Sequence, residues 1–183
     1  LVYNVKHEET GEPSPVEGHR SNQRTNDGTV VEVAEAPVTR DDTYAEWDTE
    51  ETILAVKAAL AKHHTVTLIE ADEEAYPRLR ALRPDIVFNI AEGLRGPSRE
   101  SQIPAMLEML GIPYTGSDPL TLGICLDKSR AKEILAHNGV STPPFAVVHS
   151  LEALSSLQVG FPAIVKPLHE GSSKGIFNSS VVR

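Results

Sequence analysis

The residue pattern predicts an α/β fold: an open, mostly parallel sheet over residues 1–142, followed by the start of a second domain over 143–183. Three observations carry that expectation. Strand-like apolar runs alternate with amphipathic helical patterns between Thr49 and Asn89, the order that builds parallel sheets with crossover helices. A charged, glycine-bearing loop, Asn89-Ile-Ala-Glu-Gly-Leu-Arg-Gly96, follows the run Asp85-Ile-Val-Phe-Asn89, and ligands of open sheets collect beyond the carboxyl ends of strands. A stiff Thr142-Pro143-Pro144 connector then precedes a short apolar run and a Gly/Ser-rich loop.

Leu1 to Val5 is a candidate first strand, already under way and without an initiator methionine. The chain stops at Val181-Val182-Arg183, again strand-like, so it reads as a piece of a longer protein. Lys6 to Gly28 is polar, rich in Gly, Pro, Ser and Asn and without periodicity, which predicts a long mobile loop. His7, Glu8, Glu9 and His19 fall in it, but their spacing matches no compact ligand set. Val30, Val31 and Val33 suggest an extended piece. Thr49 is a plausible N-cap for a helix with an Ile53, Val56, Leu60 stripe, an acidic start and a basic end.

Thr65 to Ile69 alternates as a strand, Glu73 to Leu82 reads as a short helix despite Pro77, and Asp85 to Asn89 reads as a buried strand. A helix beginning around Ser98 to Ser101 tolerates Pro104 only in its first turn. Its apolar face is Ile103, Met106, Leu107 and Leu110, with Met106 and Met109 expected in the core. Asp118-Pro119 caps a short helical segment, Leu120 to Leu126. A second helix, Asp127 to His137, ends at Asn138-Gly139. Phe145 to Val148 is a candidate strand, and Ser150 a cap for a short helix through Leu157.

Composition narrows the function. With 40% hydrophobic and 23% charged residues among 183, the chain is ordinary for a globular protein. A formal net charge of -9 argues against a nucleic-acid surface, which needs clustered Lys and Arg. Cys125 is the single cysteine, which leaves no internal disulfide and no cysteine metal site. Its neighbours Leu122, Ile124 and Leu126 predict a packed, inert thiol. No apolar run reaches membrane-spanning length and no signal sequence is visible, so the cytoplasm is the expected compartment.

The chemistry concentrates at the carboxyl end. Ala163-Ile164-Val165 reads as a buried strand, Lys166-Pro167 breaks it, and Glu170-Gly171-Ser172-Ser173-Lys174-Gly175 follows before Ile176 and Phe177 resume an apolar pattern. Strand, loop, strand suggests a hairpin whose tip lies over a ligand. Glycines allow close backbone approach, while amides, hydroxyls and an ammonium are the donors a polyphosphate needs. No Walker A ending is present. Lys128, in the first turn of a helix capped by Asp127, sits at the electrostatically wrong end unless an anion binds there.

Five segments now fall in one order: Phe88-Asn89 with Glu92-Gly93; Gly111-Ile-Pro-Tyr-Thr-Gly116; Asp127-Lys128; Gly139-Val-Ser-Thr-Pro143; and Val165-Lys-Pro with Glu170 to Gly175. In this the chain resembles the D-alanine–D-alanine ligase family of ATP-grasp enzymes over roughly residues 85 to 177. The resemblance implies a Rossmann-like pre-ATP-grasp domain followed by the start of an ATP-grasp domain. It implies an ATP-dependent, ADP-forming ligase that joins a carboxylate to an amine through an acyl-phosphate, in cell-wall chemistry. Lys128 and Lys166 would contact nucleotide, and Glu170, Gly171, Ser172, Ser173, Lys174 and Gly175 would close over the triphosphate. Ser172 or Ser173 would also order the substrate and so share in catalysis.

Magnesium ligands are implied only beyond Arg183, so no metal ligand is assigned here and these residues alone are expected to be inactive. A homodimer built on the amino-terminal domain is implied as well. Where the family typically carries histidine-glycine, this chain has Glu92-Gly93 as its candidate substrate contacts. A carboxylate there would repel a substrate carboxylate or attract an amine, which points to another amino acid or a peptide as substrate. Another ATP-grasp branch, or a non-catalytic small-ligand-binding or scaffold α/β domain, are the alternatives.

Overall fold

A computed structural model describes residues 1–6, 21–24, 30–33 and 44–183. The fold is mixed α/β with short strands. β1 (Val2–Tyr3) pairs in parallel with β4 (Ile69–Glu70), Val2 opposite Ile69 and Tyr3 opposite Glu70. On its other side Val2 bridges Asn89, and Val87 bridges Tyr114, both in parallel. Hydrogen bonds follow this order: Val2 N–H donates to Phe88 O (2.9 Å), Ile90 N–H to Val2 O (2.9 Å) and Val87 N–H to Pro113 O (2.8 Å). Four backbone segments thus lie side by side, 69–70, 2–3, 87–89 and 114. A crossover helix lies between several of them, as parallel pairing requires.

The helices begin where local chemistry says they should. In α1 (Glu50–Leu60) the Thr49 hydroxyl accepts from the Thr52 amide (3.2 Å). α2 (Ala75–Leu82) holds Pro77 in its first turn, where no amide is required. A 3₁₀ turn, Arg99–Ser101, leads into α3 (Gln102–Leu110) with Pro104 in the first turn. α4 (Pro119–Leu126) is capped by Asp118, and α5 (Lys128–His137) by Asp127.

One core lies among these elements: Val2, Ile69, Ala71, Ala75, Leu79, Val87, Ala91, Ile103, Leu107 and Ile112, with Met106, Leu110 and Tyr114 packed against it. α2 contributes Ala75 and Leu79, one turn apart on one face, and α3 contributes Ile103 and Leu107 in the same way.

Several expectations are corrected. Thr65 to Leu68 is not a strand; only Ile69–Glu70 pairs with β1, and Thr67 adds a single contact, its carbonyl accepting from the Leu1 amino group (3.0 Å). In Asp85 to Asn89, Val87 is buried but Ile86 is 59% exposed, so the run has one covered face rather than two. Met109 is 68% exposed because it points away from the face that carries Ile103 and Leu107. Cys125 is exposed, since α4 turns only Leu126 fully inward. Ser21–Arg24 forms β2, antiparallel to β3 (Val30–Val33), inside a stretch expected to be loop; backbone pairing, which composition does not encode, supplies its partners. Apart from Lys6, the rest of the Lys6 to Gly28 stretch, including His7, Glu8, Glu9 and His19, lies outside the described residues.

Beyond Ser129 no residue is buried. Phe145 to Val148 is not in a strand, and a 3₁₀ turn, Glu152–Ser156, replaces the helix expected from Ser150. β5 (Ala163–Ile164) pairs antiparallel with β6 (Val181–Val182). The hairpin is therefore real, but its return strand lies past Ile176 and Phe177. Ile164 and Val165 are 49% and 64% exposed, because no element packs against this ladder as one does against β1.

Candidate functional site

The glycine-rich loop lies against the start of α5 and the 3₁₀ turn before α3. Asp127, in extended conformation (φ -80°, ψ 101°), caps α5 by accepting from the amides of Ser129 (2.9 Å) and Arg130 (3.1 Å). Lys128, next in the chain, is aimed under the loop. Its amide donates to Leu168 O (3.2 Å), and its ammonium donates to Leu168 O (3.3 Å) and to Glu170 O. Burial holds the Lys128 pKa below the ordinary lysine value; the Lys166 and Arg99 charges push the same way, and Glu170 and Glu46 oppose them. Lys166 itself is exposed.

Above Lys128 the loop is fastened by charge. The Glu170 carboxylate receives Arg99 Nη2 at 3.1 Å and Lys174 Nζ at 3.2 Å. Arg99 also donates to the His169 carbonyl (2.7 Å) and to Glu46 Oε2 (2.6 Å), while Glu46 Oε1 accepts from the Gly171 amide. His169 Nε2 lies 3.3 Å from Asp127 Oδ2. Ser172 and Ser173, both exposed, have left-handed backbone (φ 44° and 62°). Gly175 (φ +70°) is required where it stands, since a Cβ there would lie 2.8 Å from Pro167 Cγ.

Glu92 and Gly93 adjoin the same cluster. The Gly93 amide donates to the buried Asn4 Oδ1 (2.9 Å). Burial first, then the neighbouring Glu100, Glu46 and Asp48 carboxylates, raise the Glu92 pKa to about 7 against the pull of Arg99. A cavity of about 290 Å³ opens between the two loops, lined among others by Arg95, Arg99, His169, Glu170 and Lys174.

The structure thus brings Lys128, Glu170, Gly171 and Lys174 into one contact network and sets Glu92 electrostatically beside it. The sequence reading missed Arg99 and Glu46, the two most buried charges of the cluster, with side chains 8% and 4% exposed. A signal for Arg99 existed: a cation at the start of a helical segment, the reasoning that singled out Lys128.

Comparison with known proteins places this architecture. No family model matches the chain. D-alanine–D-alanine ligases of Beijerinckia indica (41% identical over 112 residues, 61% of this chain) and Pseudomonas putida (ligase B, 40% over 115 residues) align with it. Over that stretch the chain is homologous to the D-alanine–D-alanine ligase family. An uncharacterized Sinorhizobium fredii protein, y4sG, is 41% identical over 132 residues, 67% of this chain. The crystal structure of the Bacillus anthracis D-alanine–D-alanine ligase superposes with a TM-score of 0.50 at 27% identity, covering 72% of this chain and 43% of that one. A structure of the same ligase complexed with ATP aligns equally well. The chain spans 35% to 39% of the length of these curated relatives.

The donor set suits a polyphosphate: two lysines whose fields reinforce, a glycine-rich backbone and two exposed hydroxyls. Magnesium is a different matter. Among the described residues no group of three or more His, Cys, Asp or Glu is arranged to hold a metal. Likewise, among them no helix is long and apolar enough to cross a membrane.

Proposed function

We propose that this protein carries the nucleotide-loop side of an ATP-dependent ligase that joins a carboxylate to an amine. The supporting observation is convergence: Lys128, from the first turn of α5, reaches beneath Leu168 and Glu170, close enough to Lys166 for the two charges to interact. When bound, ATP supplies a phosphoryl group that activates a carboxylate toward an amine. Such transfer depends mainly on positioning and charge neutralisation. Lys128 and Lys166 would hold the phosphates, Lys166 lying nearer the adenine, and the loop from Glu170 to Gly175 would cover them. The Ser172 and Ser173 hydroxyls would donate to the phosphate and substrate oxygens.

Glu92 argues against D-alanine as the substrate, because a carboxylate where the family typically carries histidine would repel a substrate carboxylate. A half-buried carboxyl with a pKa of about 7 suits the ammonium of an amino acid or peptide, whose charge would in turn stabilise the carboxylate. The domain division at Pro143-Pro144, a magnesium requirement and a dimer belong to the same proposal. So does the expectation that these 183 residues release no ADP on their own, as they span well under half of the relatives' length.

Calorimetry with magnesium-ATP on the protein, Lys128→Ala and Lys166→Ala is the test. Binding that both substitutions abolish supports the reading. Binding indifferent to both overturns it.

A further inference from the structure

We infer that Arg99 and Glu46 are positioning residues, a buried clamp that docks the glycine-rich loop over Lys128 through protein contacts alone. This rests on reading that loop as the nucleotide cover. Arg99 is 7% exposed, and an arginine is seldom so buried without partners. It has three: Glu46 Oε2, Glu170 Oε2 and the His169 carbonyl, respectively 53, 71 and 70 residues away in sequence. A planar fork of donors can serve several acceptors at once; an ammonium on a flexible stem cannot do so in the same geometry.

Glu46 completes the clamp. One carboxylate oxygen takes Arg99 and the other takes the Gly171 amide, so a single side chain joins the guanidinium to the loop backbone. A Cβ on residue 171 would lie 2.6 Å from Glu46 Oε1, so the absence of a side chain lets the carboxylate close on the chain. The other end is equally fixed. A Cβ on residue 93 would lie 2.3 Å from Arg99 O, and the turn carrying Arg99 runs straight into α3, whose Ile103 and Leu107 are in the core.

Charge balances within the group, with Arg99 and Lys174 against Glu46 and Glu170. Removing one buried member leaves its partner uncompensated. Gly171 therefore changes role: its amide is a docking point, and the phosphate donors left to the loop are at Ser172, Ser173 and the lysines. A cover held by such contacts lowers the ordering cost that binding must meet.

Amide hydrogen exchange without nucleotide, followed by magnesium-ATP titration, tests this on the protein, Arg99→Ala, Arg99→Lys and Glu46→Gln. In Arg99→Ala the Gly171 and Lys174 amides should exchange about 100-fold faster while Ile103 to Leu110 stays protected. Arg99→Lys should not rescue them, and Glu46→Gln should speed Gly171 by about tenfold. ATP affinity should fall about tenfold in Arg99→Ala with its salt dependence unchanged, because Lys128 and Lys166 still carry the ionic contacts.

Unchanged exchange at Gly171 in Arg99→Ala and Glu46→Gln overturns the clamp. So does weaker ATP binding with loop protection intact, which would make Arg99 a ligand contact. If Arg99→Ala loosens α3 as well, Glu46→Gln alone decides. Loss of loop protection in a protein that binds no ATP at all leaves the clamp standing and removes the nucleotide reading.

Discussion

The side chain of Asn4 and the backbone of Gly93, 89 residues apart, are joined by a 2.9 Å hydrogen bond from the Gly93 amide to Asn4 Oδ1. Asn4 is 1% exposed, and its Nδ2 donates to Ala71 O (3.2 Å). One carboxamide at the end of β1 therefore ties the exit of β4 to the loop that carries Glu92. Asn4→Leu would strand two buried backbone groups and is expected to cost about 3 kcal/mol. A loss of unfolding free energy, from urea titration, of less than a third of that would show that water or a local shift replaces the amide.

Gly93→Ala should be worse than its size suggests. At φ +80° any side chain is strained, and this Cβ would also lie 2.6 Å from Arg99 C, closer still to its oxygen. Gly111 has a similar φ, +65°, but no atom within 4 Å of its Cβ site, so it isolates the conformational part. Gly111→Ala is expected to cost about 1 kcal/mol, and Gly93→Ala about 3 kcal/mol or more. Paired urea titrations check the ordering; equal losses would mean that the Arg99 turn yields readily.

What the residues disclosed in advance was the local part. Thr49, Asp118 and Asp127 are caps whose signal lies within three residues of the helix start, and all three cap helices here. Burial was less legible. Val87 and Ile164 sit in similar apolar runs, yet Val87 is 2% exposed and Ile164 49%, because only the first has α3 and Tyr114 beside it. Least legible were Glu46 and Arg99. In sequence each is one charge among many, and their meeting is made by chain segments 53 residues apart.

Asp127 links a helix cap to the loop. Its pKa is held down to about 2, chiefly by the Ser129 hydroxyl and then by the Arg130 and Ser129 amides, against a desolvation that works the other way. Asp127→Ala should cost about 1 to 2 kcal/mol of stability, while Asp127→Asn, which still accepts from those amides, should cost much less. A carboxyl lowered on folding contributes stability above its unfolded value of 3.8, lost as pH falls through about 2. The acid limb of stability should therefore be flatter in the alanine variant. Thermal melts of the three proteins across that limb measure it.

Glu92 has the opposite sign. Its folded pKa of about 7 lies above the ordinary 4.5, so the folded chain binds a proton the unfolded chain has released between those values. Its contribution is full below about pH 4.5 and is lost as pH rises through about 7. Glu100 and Asp48, also raised by burial, add to the same slope, while Glu46 and Arg99 face Glu92 with opposing charges. Glu92→Gln removes this proton uptake together with the repulsion from Glu100 that helps raise it. The urea midpoint of the parent protein should fall between about pH 5 and about pH 7.5. In Glu92→Gln it should fall less, leaving the variant the more stable protein at the upper end. An unchanged slope would assign the titration to Glu100 or Asp48 and would remove Glu92 as the neutral-range acid of this site.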